Sequence, residues 1–514
     1  MKKLNNLFRV DQLFQSGMVL QREKEIKIWG NAPAGSNVTA TIGNNSGTII
    51  ANSDYTFMIT LPPMEAAENL VLVLTCDAPD TCPIELFSIS IGDVWLACGQ
   101  SNMEFFLKYD QDWEKVQKQP KNPHIHMYNT PQVAFEGHTT HSKIGYGYWF
   151  SDKDKGYEVF SAPAYSFAQN LQPSINIPIG LIGCNWGGST ASAWVPEEVL
   201  STPPLDNYFR EYEEAMEGLS PEEIRKQSIE GWAWEDSTQH YRDFEPLLYG
   251  RERAWQLNYM KEHAGEPVIP MGPYNLNRPS GLYHTMLSKL IPFPIKGVLW
   301  YQGESDAGNR AWMYDKLLSA LITDWRKEWN DNFPFLLVQL APFGKWLDCG
   351  NEEYTLVRQK QEIVCNTVDN TYLTSIMDLG SYYDIHPKAK MEVGRRLSLL
   401  ARGHVYGEDN LLCDPPRYAS GYRENNEIVI ILNSSEGLHF TDDKDKTDIV
   451  LQINEQEYTP AAVAIANDNL VLTLPDEICD FHQEITVSVG WGDYSRIFIS
   501  NKQGLSIAPF QTTL

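Results

Sequence analysis

The middle of the chain, from Asp93 to about Gly407, alternates short apolar runs with helix-like stretches. The apolar runs have the length of β-strands, and they read VWLAC, IPIGLIGC, KGVLWYQ, FPFLLVQL and YLTSIMDL. Strands that alternate with helices are typical of a parallel sheet with helices covering it. We therefore predict an α/β domain over residues 93–407, and this alternation constrains the fold more than any other feature of the sequence.

The segments on either side of this domain have short runs of period-2 character, separated by Gly, Pro and Asn turns. Residues 1–92 contain KEIKIWG, SNVTATIG, TFMITL and NLVLVLTC, and residues 408–514 contain NEIVIILN, DIVLQIN, NLVLTL and EITVSVGWG. We predict an N-terminal β-sandwich domain over 1–92 and a C-terminal β-sandwich domain over 408–514. Residues at about 200–275 break the alternation with polar, aromatic-rich helical segments and an extended loop, and we interpret them as an insertion.

Charge and hydropathy exclude several classes of partner. The formal net charge is −26, and no long Lys/Arg-rich run is present. Nucleic acid and anionic membrane surfaces are therefore poor partners, because binding to them depends on positive charge. No apolar run reaches the length of a membrane span. The start, MKKLNNLFRVDQLF, lacks the apolar core of a signal peptide, so we expect a cytoplasmic protein as written; a chain trimmed of its leader would look the same. A homo-oligomer is compatible with the sequence.

Metal and cofactor motifs are absent from the sequence. The eight cysteines are scattered without a CxxC pair, and neither HExxH nor a P-loop occurs. We therefore predict no metal and no organic cofactor. Several cysteines lie in apolar runs and are interpreted as buried thiols, although the sequence leaves a disulfide open. His124 and His126 alternate on a strand-like run, with no carboxylate beside them in the sequence, and are interpreted as structural.

Ser101 lies in GQSNM, at the end of the first apolar run of the α/β domain and directly before a helix-like stretch. In parallel α/β sheets, sites form at the carboxyl ends of the strands. A serine there has an exposed hydroxyl beside the free backbone N–H groups of a helix N-terminus, as an acyl-transfer nucleophile requires. Ser101 alone fits a helix cap equally well.

Two further strand ends supply groups suited to an oxyanion. In WGGS, Gly187 and Gly188 let the backbone approach a bound group, so that one of their N–H groups can donate a hydrogen bond. In WYQGES, the side-chain amide of Gln302 is suited to donate another. Each motif alone also fits an ordinary βα turn, in which Gln302 and Glu304 bond to the loop backbone.

His386 lies in YYDIHPKAKM, where Pro387 favours an extended conformation for the histidine and suits the first turn of a helix. An imidazole fixed in this way is suited to be a general base, with Asp384 holding its Nδ1 side. Asp378 or a backbone carbonyl is the alternative for that orienting role. The helix is predicted to bury four apolar side chains, Ala389, Val393, Leu397 and Leu400.

In this order, GQSNM, WGGS, WYQGES and DIHPKAK resemble the sialate O-acetylesterase family of the SGNH (GDSL-like) hydrolases, which also contains acetylxylan esterases. The resemblance extends to flanks such as GMVLQRE and SNKQGLSIAPF and covers nearly the whole chain apart from the insertion. It implies a flavodoxin-like α/β esterase domain flanked by β-domains, no cofactor, and removal of acetyl groups from sugar hydroxyls. It also implies roles for individual residues: a nucleophile at Ser101, oxyanion donors at Gly187 or Gly188 and at Gln302, and a base at His386.

Three features depart from the family pattern. Ser189 stands where the family usually has Thr. His284 and Thr285 stand where relatives tend to carry Asn-Gly, so the wall of the cleft is expected to differ. Tyr383 occupies the position of the superfamily's acid, three residues before the base, and we therefore predict Asp384 as the orienting acid.

Five side chains are predicted to contact the substrate. Trp186 and Trp194 are suited to stack on a sugar ring, although core packing explains them equally well. Arg310 is suited to a substrate carboxylate, and Glu304 and His284 lie in loops of the same site.

The sequence thus predicts a serine esterase that removes O-acetyl groups from an acetylated sugar or oligosaccharide through an acetyl-serine intermediate. Two other functions fit: a carbohydrate-binding protein whose esterase site has decayed, and a lipase or thioesterase on the same fold. The sequence does not specify the sugar, and sialic acid and xylan fragments both remain open.

Overall fold

The computed structural model describes residues 7–138, 145–235, 267–346, 349–442, 447–478 and 483–514. The stretch 236–266 of the predicted insertion, with the predicted helix GRERAWQLNYMKEH, lies outside the described residues. The seven cysteines in the described ranges are free thiols.

The N-terminal part consists of short strands. They are β1 Arg9–Val10, β2 Val19–Gln21, β3 Ile26–Asn31, β4 Asn37–Ile42, β5 Asn45–Ile50, β6 Thr56–Leu61, β7 Ala67–Cys76 and β8 Ile84–Gly99. The strands β1, β3 and β6 form an antiparallel sheet, and β4 pairs antiparallel with both β5 and β7. Burial alternates along β4 and β6, because one face of each strand packs on the core.

β8 connects this part to the central sheet. It pairs with β7 through its first half and with β11 and β12 through its second half. The predicted boundary between residues 92 and 93 therefore falls inside one continuous strand. The N-terminal strands also share one apolar core with the α/β part.

The other strands of the central sheet are β9 Ile125–Asn129, β10 Trp149–Ser151, β11 Ile179–Asn185, β12 Gly297–Tyr301, β13 Phe335–Val338 and β14 Thr371–Thr374. Their order, with β8, is β10-β9-β11-β8-β12-β13-β14, and only β10 runs antiparallel to its neighbour. Every residue of β11, β12 and β13 is buried, as expected for a parallel sheet covered on both faces. The predicted mixed α/β fold with a parallel sheet is confirmed.

Helices connect the strands of this sheet. They are α1 Ser101–Glu104, α2 Trp113–Val116, α3 Ala162–Ile175, α4 Glu197–Leu200, α5 Asn207–Ala215, α6 Pro221–Glu235, α7 Gly281–Thr285, α8 Tyr314–Trp329, α9 Tyr354–Thr367 and α10 Lys390–Leu400. Short 3-10 turns occur at Leu107–Tyr109, Tyr157–Val159, Ala191–Trp194, Leu287–Lys289, Glu304–Asp306 and Gly308–Met313. A π-helical turn, Ala401–Val405, continues α10. Within the described ranges, no helix has both the length and the apolar character needed to cross a bilayer.

The C-terminal strands are β15 Arg417–Glu424, β16 Glu427–Asn433, β17 His439–Phe440, β18 Ile449–Ile453, β19 Gln456–Tyr458, β20 Ala462–Ala466, β21 Asn469–Thr473, β22 Thr486–Val489, β23 Ile499–Ser500 and β24 Phe510–Thr513. They form two antiparallel four-stranded sheets, β15-β16-β21-β20 and β19-β18-β22-β24, and a short pair, β17-β23. Both four-stranded sheets contribute side chains to a second apolar core, which is separate from that of the α/β part.

Candidate active site

The carboxyl ends of β8, β11 and β12 lie side by side. In the sheet register, Gly99 pairs with Asn185 on one side and with Tyr301 on the other. Gly99 has a φ of +141°, and a Cβ there would stand 2.1 Å from the carbonyl oxygen of Tyr301. Only glycine fits this close approach. The GQSNM, WGGS and WYQGES motifs therefore begin from adjacent positions at one edge of the sheet.

Ser101 is the first residue of α1, and Gln100 occupies the N-cap position. The Ser101 hydroxyl lies 2.9 Å from Nε2 of His386, which is 285 residues further along the chain. The His386 side chain is 3% exposed, and the Trp346 ring packs edge-on against it with 5.4 Å between centroids. Ser101 is thus not a side-chain cap; its hydroxyl contacts an imidazole that can accept its proton.

Asp384 lies beside the base and contacts it mainly through the backbone. Its Oδ1 accepts a hydrogen bond of 2.9 Å from the backbone N–H of His386. The same atom is 4.0 Å from Nδ1, which is longer than a hydrogen bond. Asp378, the alternative orienting acid, forms a two-pronged ion pair with Arg396 at 2.6 and 2.7 Å. Of these two carboxylates, Asp384 is the one that contacts His386.

Asn102 joins the loops of the site, and it was not singled out from the sequence. Its Nδ2 donates to Oε1 of Glu304 at 2.5 Å and to the carbonyl oxygen of Ile385 at 3.0 Å. Its Oδ1 accepts a hydrogen bond of 2.5 Å from Nζ of Lys390. One buried amide therefore connects the serine turn, the histidine loop and the WYQGES loop. Oε1 of Glu304 accepts this bond from Asn102, and the predicted contact of Glu304 with substrate stays a prediction.

Lys390 is the first residue of α10 and is fully buried. Burial lowers the pKa of Lys390 to about 7, against the opposing effect of nearby Glu304. Burial also raises the pKa of Glu304. The burial of Lys390 could have been predicted from the sequence, because a lysine at this position lies on the same helix face as Val393 and Leu397. Because α10 begins at Lys390, the prediction that Pro387 lies in its first turn is wrong.

Two backbone N–H groups at the serine turn have no hydrogen-bond acceptor among the described residues. Within the described residues, the N–H groups of Ser101 and Gly188 donate to no protein group. The N–H of Gly187 donates to Oε2 of Glu104 at 2.6 Å, so that donor is occupied. Gly187 lies against the serine, since a Cβ on it would stand 3.4 Å from Cβ of Ser101, and Gly188 follows with a φ of +73° and open space around it. Ser101 and Gly188 are therefore the donors available to an oxyanion here.

Gln302 is buried and bonded on every side. Its Nε2 donates to Oδ2 of Asp306 at 2.6 Å and to the carbonyl oxygen of Ser189 at 3.2 Å, and its Oε1 accepts from the Tyr314 hydroxyl at 2.9 Å. Because both amide hydrogens are used, donation to an oxyanion would require the loss of one of these bonds. That role for Gln302 stays a prediction; in this arrangement the amide holds the WGGS turn against its own loop.

The two predicted stacking tryptophans differ in exposure. Trp194 is 0% exposed and donates to Oγ of Ser189, so the prediction that it stacks on a sugar is wrong. Trp186 is partly buried and directly precedes Gly187. It belongs to what we call the aromatic cluster, whose ring contacts have centroid distances of 4.4 to 6.4 Å: Phe135, His138, Trp186, Trp232 and Tyr274. Since Trp232 lies on α6, the insertion reaches the segment beside the serine.

Arg310 and His284 each have an acidic partner. The Nε of Arg310 lies 2.7 Å from Oε2 of Glu211, a residue of α5. The Nε2 of His284 lies 2.7 Å from Oε2 of Glu197 on the surface. A substrate carboxylate at Arg310 would have to compete with Glu211, and both assignments stay predictions.

The sequence of this chain is similar to those of known carbohydrate esterases. The model of a family described as carbohydrate esterase, sialic acid-specific acetylesterase, matches residues 91–235 and 273–401. The chain is 24% identical to the sialate O-acetylesterase of Rattus norvegicus, covering 93% of this chain and 86% of that protein. It is 26% identical to the sialate O-acetylesterase of Homo sapiens, covering 80% and 73%.

A similar fold has been solved by crystallography. A carbohydrate acetylesterase from Xanthomonas citri aligns with a TM-score of 0.73 at 24% sequence identity, and the alignment covers 98% of this chain and 99% of that chain. The fold described above is therefore shared from end to end.

Proposed function

The chain belongs to the family of carbohydrate esterases described as sialic acid-specific acetylesterases, and we propose that Ser101 is the nucleophile with which it removes O-acetyl groups from sugars. Membership makes the chain a carboxylic ester hydrolase. One observation carries the assignment of the nucleophile: Oγ of Ser101 and Nε2 of His386 lie 2.9 Å apart, although the residues are 285 positions apart in sequence. The alternative function, a carbohydrate-binding protein whose esterase site has decayed, does not require a serine hydroxyl in contact with an imidazole.

The reaction has two steps. Nε2 of His386 accepts the proton of Ser101 as Oγ attacks the acetyl carbonyl carbon, and the N–H groups of Ser101 and Gly188 donate to the oxyanion that forms. The imidazolium gives this proton to the sugar oxygen, so the sugar leaves as an alcohol and the serine is acetylated. A water molecule, deprotonated by His386, then attacks the acetyl carbon. The bond from that carbon to Oγ breaks, Oγ takes the proton back from the imidazolium, and acetate is released.

Asp384 and Asn102 act as positioning residues in this proposal. The carboxylate of Asp384 holds the backbone N–H of His386 and, at 4.0 Å from Nδ1, favours the imidazolium by charge. Asn102 bonds to the carbonyl oxygen of Ile385 and thereby holds the histidine loop against the serine turn. Neither side chain needs to touch the substrate.

An acetylated sialic acid is the first substrate that we propose, with acetylated xylo-oligosaccharides as the second. The aromatic cluster supports a sugar-facing wall, because aromatic faces are suited to pack on the C–H faces of a sugar ring and Trp186 directly precedes the turn beside Ser101. Since Trp232 of the insertion belongs to this cluster, we propose that the insertion at about 200–275 contributes to the choice of sugar.

We further propose that the α/β part has the flavodoxin-like SGNH arrangement. Five neighbouring strands of the sheet support this arrangement: they lie in the order β11-β8-β12-β13-β14. When these five are renumbered 1 to 5 along the chain, their order in the sheet is 2-1-3-4-5, the flavodoxin-like order. We also propose that the strands of 1–92 and 408–514 form flanking β-sandwiches, with 93–407 as the esterase domain. The two-sheet arrangement of the C-terminal strands around their own core supports the C-terminal sandwich. The N-terminal strands would flank the esterase domain while sharing its core.

Replacement of Ser101 tests the nucleophile. We expect Ser101→Ala to lower the turnover of p-nitrophenyl acetate by about 10³-fold or more, because a missing nucleophile cannot be replaced by the oxyanion donors alone. Wild type should be labelled by a fluorophosphonate probe, and Ser101→Ala should not. The matched control is Ser305→Ala, which changes a serine of the neighbouring loop and should keep full labelling.

Unchanged turnover in Ser101→Ala would refute the assignment. Comparison of acyl esters of increasing length tests the function: preference for acetyl is expected, and preference for long chains would indicate a lipase or thioesterase. Acetate release from 9-O-acetyl sialic acid and from acetylated xylo-oligosaccharides then ranks the sugars.

A further inference from the structure

Three metal-ligating side chains meet where the chain leaves the α/β part. The π-helical turn Ala401–Val405 carries His404, and the following loop brings Cys413 and Asp414 back to it just before β15. Their nitrogen, sulfur and oxygen atoms all lie within 4.8 Å of one another, and among the described residues only these groups do so. π-Helical turns are often found at functional sites.

We propose that His404, Cys413 and Asp414 bind a zinc ion. The distances are 2.9 Å from Nε2 of His404 to Oδ2 of Asp414, 3.4 Å from Sγ of Cys413 to Nε2, and 3.6 Å from Sγ to Oδ2. Tetrahedral zinc with its usual bond lengths places neighbouring nitrogen and oxygen ligands about 3.3 Å apart and sulfur about 3.6 Å from either. The three atoms therefore already outline one face of that tetrahedron: the His404–Asp414 edge must open by about 0.4 Å and the Cys413–His404 edge by about 0.2 Å.

The surrounding residues hold the three ligands in place. Cys413 is 7% exposed, so its thiol is directed inward against the histidine rather than into water. A Cβ on Gly403 would stand 2.4 Å from Sγ of Cys413, so the thiol reaches the ring only because residue 403 is glycine. The His404 ring stacks on Tyr372 of β14 at 3.9 Å, and Asn501 donates to the backbone carbonyl of Asp414.

The donor set selects the metal. Thiolate, imidazole and carboxylate together favour zinc over calcium or magnesium, which prefer oxygen ligands alone. The His404 and Asp414 side chains are 26% and 32% exposed, so water can take the fourth position. A structural role follows from the location: the ion would clamp the end of the α10 segment to the chain that enters the C-terminal sheets.

The alternative is an ion pair between His404 and Asp414 that needs no metal. Another histidine of the chain provides the comparison: Nδ1 of His124 lies 2.7 Å from Oε1 of Glu68, a carboxylate that the local sequence did not reveal. That pair has no thiol, so it cannot bind zinc in the same way. His124→Gln is therefore the matched control.

Metal binding by the full-length protein tests the proposal. After removal of metals with a chelator, wild type should take up about one zinc ion per chain, and Co²⁺ should give the near-ultraviolet charge-transfer band of a cobalt–thiolate bond. Cys413→Ser should lose this band, and both Cys413→Ser and His404→Gln should bind zinc about 100-fold or more weakly, since even outer contacts of a metal site contribute 10- to 100-fold. His124→Gln should behave as wild type.

Failure of the stripped wild type to bind zinc or to give the cobalt band overturns the proposal without any variant. Equal zinc affinity in wild type and Cys413→Ser overturns it as well. These readouts do not involve ester cleavage, so they are independent of the role proposed for Ser101.

Discussion

At the scale of the residue, buried side chains hold together the loops that carry Ser101 and His386, the proposed reacting pair. Asn102 bonds to the histidine loop and to Glu304, and Lys390 bonds to Asn102 from the start of α10. The carboxylate of Asp384 lies 4.0 Å from Nδ1 of His386, without a direct hydrogen bond to that atom. The contribution of the Asp384 charge to kcat should therefore be moderate. The contribution of Lys390 to the free energy of unfolding should depend on pH.

Replacement of Asp384 tests the orienting acid. Two unit charges 4 Å apart near a protein surface interact by about 4 kcal/mol at most, and the ion pair with Lys388 offsets part of this. We therefore expect Asp384→Ala to lower kcat by about 10- to 100-fold. Asp378→Asn is the control: it removes the partner of buried Arg396 and should lower the free energy of unfolding by about 3–5 kcal/mol, with little change in kcat of the folded enzyme. The reverse order of kcat would make Asp378 the orienting acid.

Lys390 should make stability depend on pH. Its pKa is about 7 in the folded protein and about 10.4 in the unfolded chain. Between these values the unfolded chain binds more protons, so this group makes the free energy of unfolding rise with pH. Below pH 7 both states carry the proton, and the full cost of burying the charge is present.

Urea unfolding from pH 7 to pH 10 measures this effect. We expect wild type to gain stability relative to Lys390→Met across this range, because methionine cannot titrate. Lys118→Met changes a lysine that is 74% exposed, and its difference from wild type should stay constant. A constant difference for Lys390→Met as well would contradict the low pKa.

The site residues that could be predicted from the sequence are those whose immediate neighbours in the chain restrict their conformation. Ser101 follows a buried strand and His386 precedes a proline, so each was predicted from its neighbours. The bonds of Asn102 run to Glu304 and Ile385, more than 200 positions away, and no local pattern encodes them. Gln302 was predicted to donate to an oxyanion because it lies in the WYQGES loop. One of the groups that occupy its amide, the carbonyl oxygen of Ser189, belongs to another loop and was not visible in the local sequence.

At the scale of the element, the position of α10 depends on contacts with distant segments. The backbone N–H of Met391 donates to Oδ2 of Asp110, so a carboxylate from 281 positions earlier caps this helix. The chain near Lys388 also pairs with Gln111 through a backbone hydrogen bond. The local sequence placed the helix start at Pro387 because neither contact is visible there; the strands, which depend on runs of apolar residues, were predicted more closely.

Gly394 should be essential for the packing of α10 on α3. A Cβ on Gly394 would stand 2.3 Å from the carbonyl oxygen of Pro163 and 2.5 Å from Cβ of Ser166. We expect Gly394→Ala to lower the free energy of unfolding by about 1–3 kcal/mol, although alanine favours helix by about 1 kcal/mol. Urea unfolding measures this, with Thr323→Ala on the exposed face of α8 as the control that should not destabilise. A more stable Gly394→Ala would contradict the close crossing.

At the scale of the whole molecule, the described residues up to about 400 share one large core, the C-terminal sheets have a separate one, and a small third cluster of Leu399, Cys413 and Leu505 lies apart from both. β8 explains why the sequence changed character at Asp93. Its first residues alternate between exposed and partly buried, whereas all residues from Ile89 on are buried. The change in sequence at Asp93 comes after this burial begins and marks where the strand exchanges its partner β7 for β11 and β12. A pattern read along the chain does not distinguish this exchange from a domain boundary.

Hydrogen exchange of the full chain tests this continuity. We expect the amides of residues 89–92 and 93–99 to exchange at similar slow rates, because they belong to one strand within one core. The amides of β16 and β21, in the separate C-terminal core, are the comparison and are free to show a different protection level. Much faster exchange in 89–92 than in 93–99 would indicate that the N-terminal strands open on their own.

The distance along the chain between Ser101 and its proposed base, His386, has a consequence for biosynthesis. Ser101 is translated 285 residues before His386. In the proposed mechanism, a ribosome-bound nascent chain that ends before His386 carries the serine hydroxyl without its base and cannot hydrolyse esters through it. If this pair carries the reaction, the onset of catalysis marks the joining of two distant segments of the α/β part, and recovery of activity after denaturation is a sensitive probe of the refolding of that part.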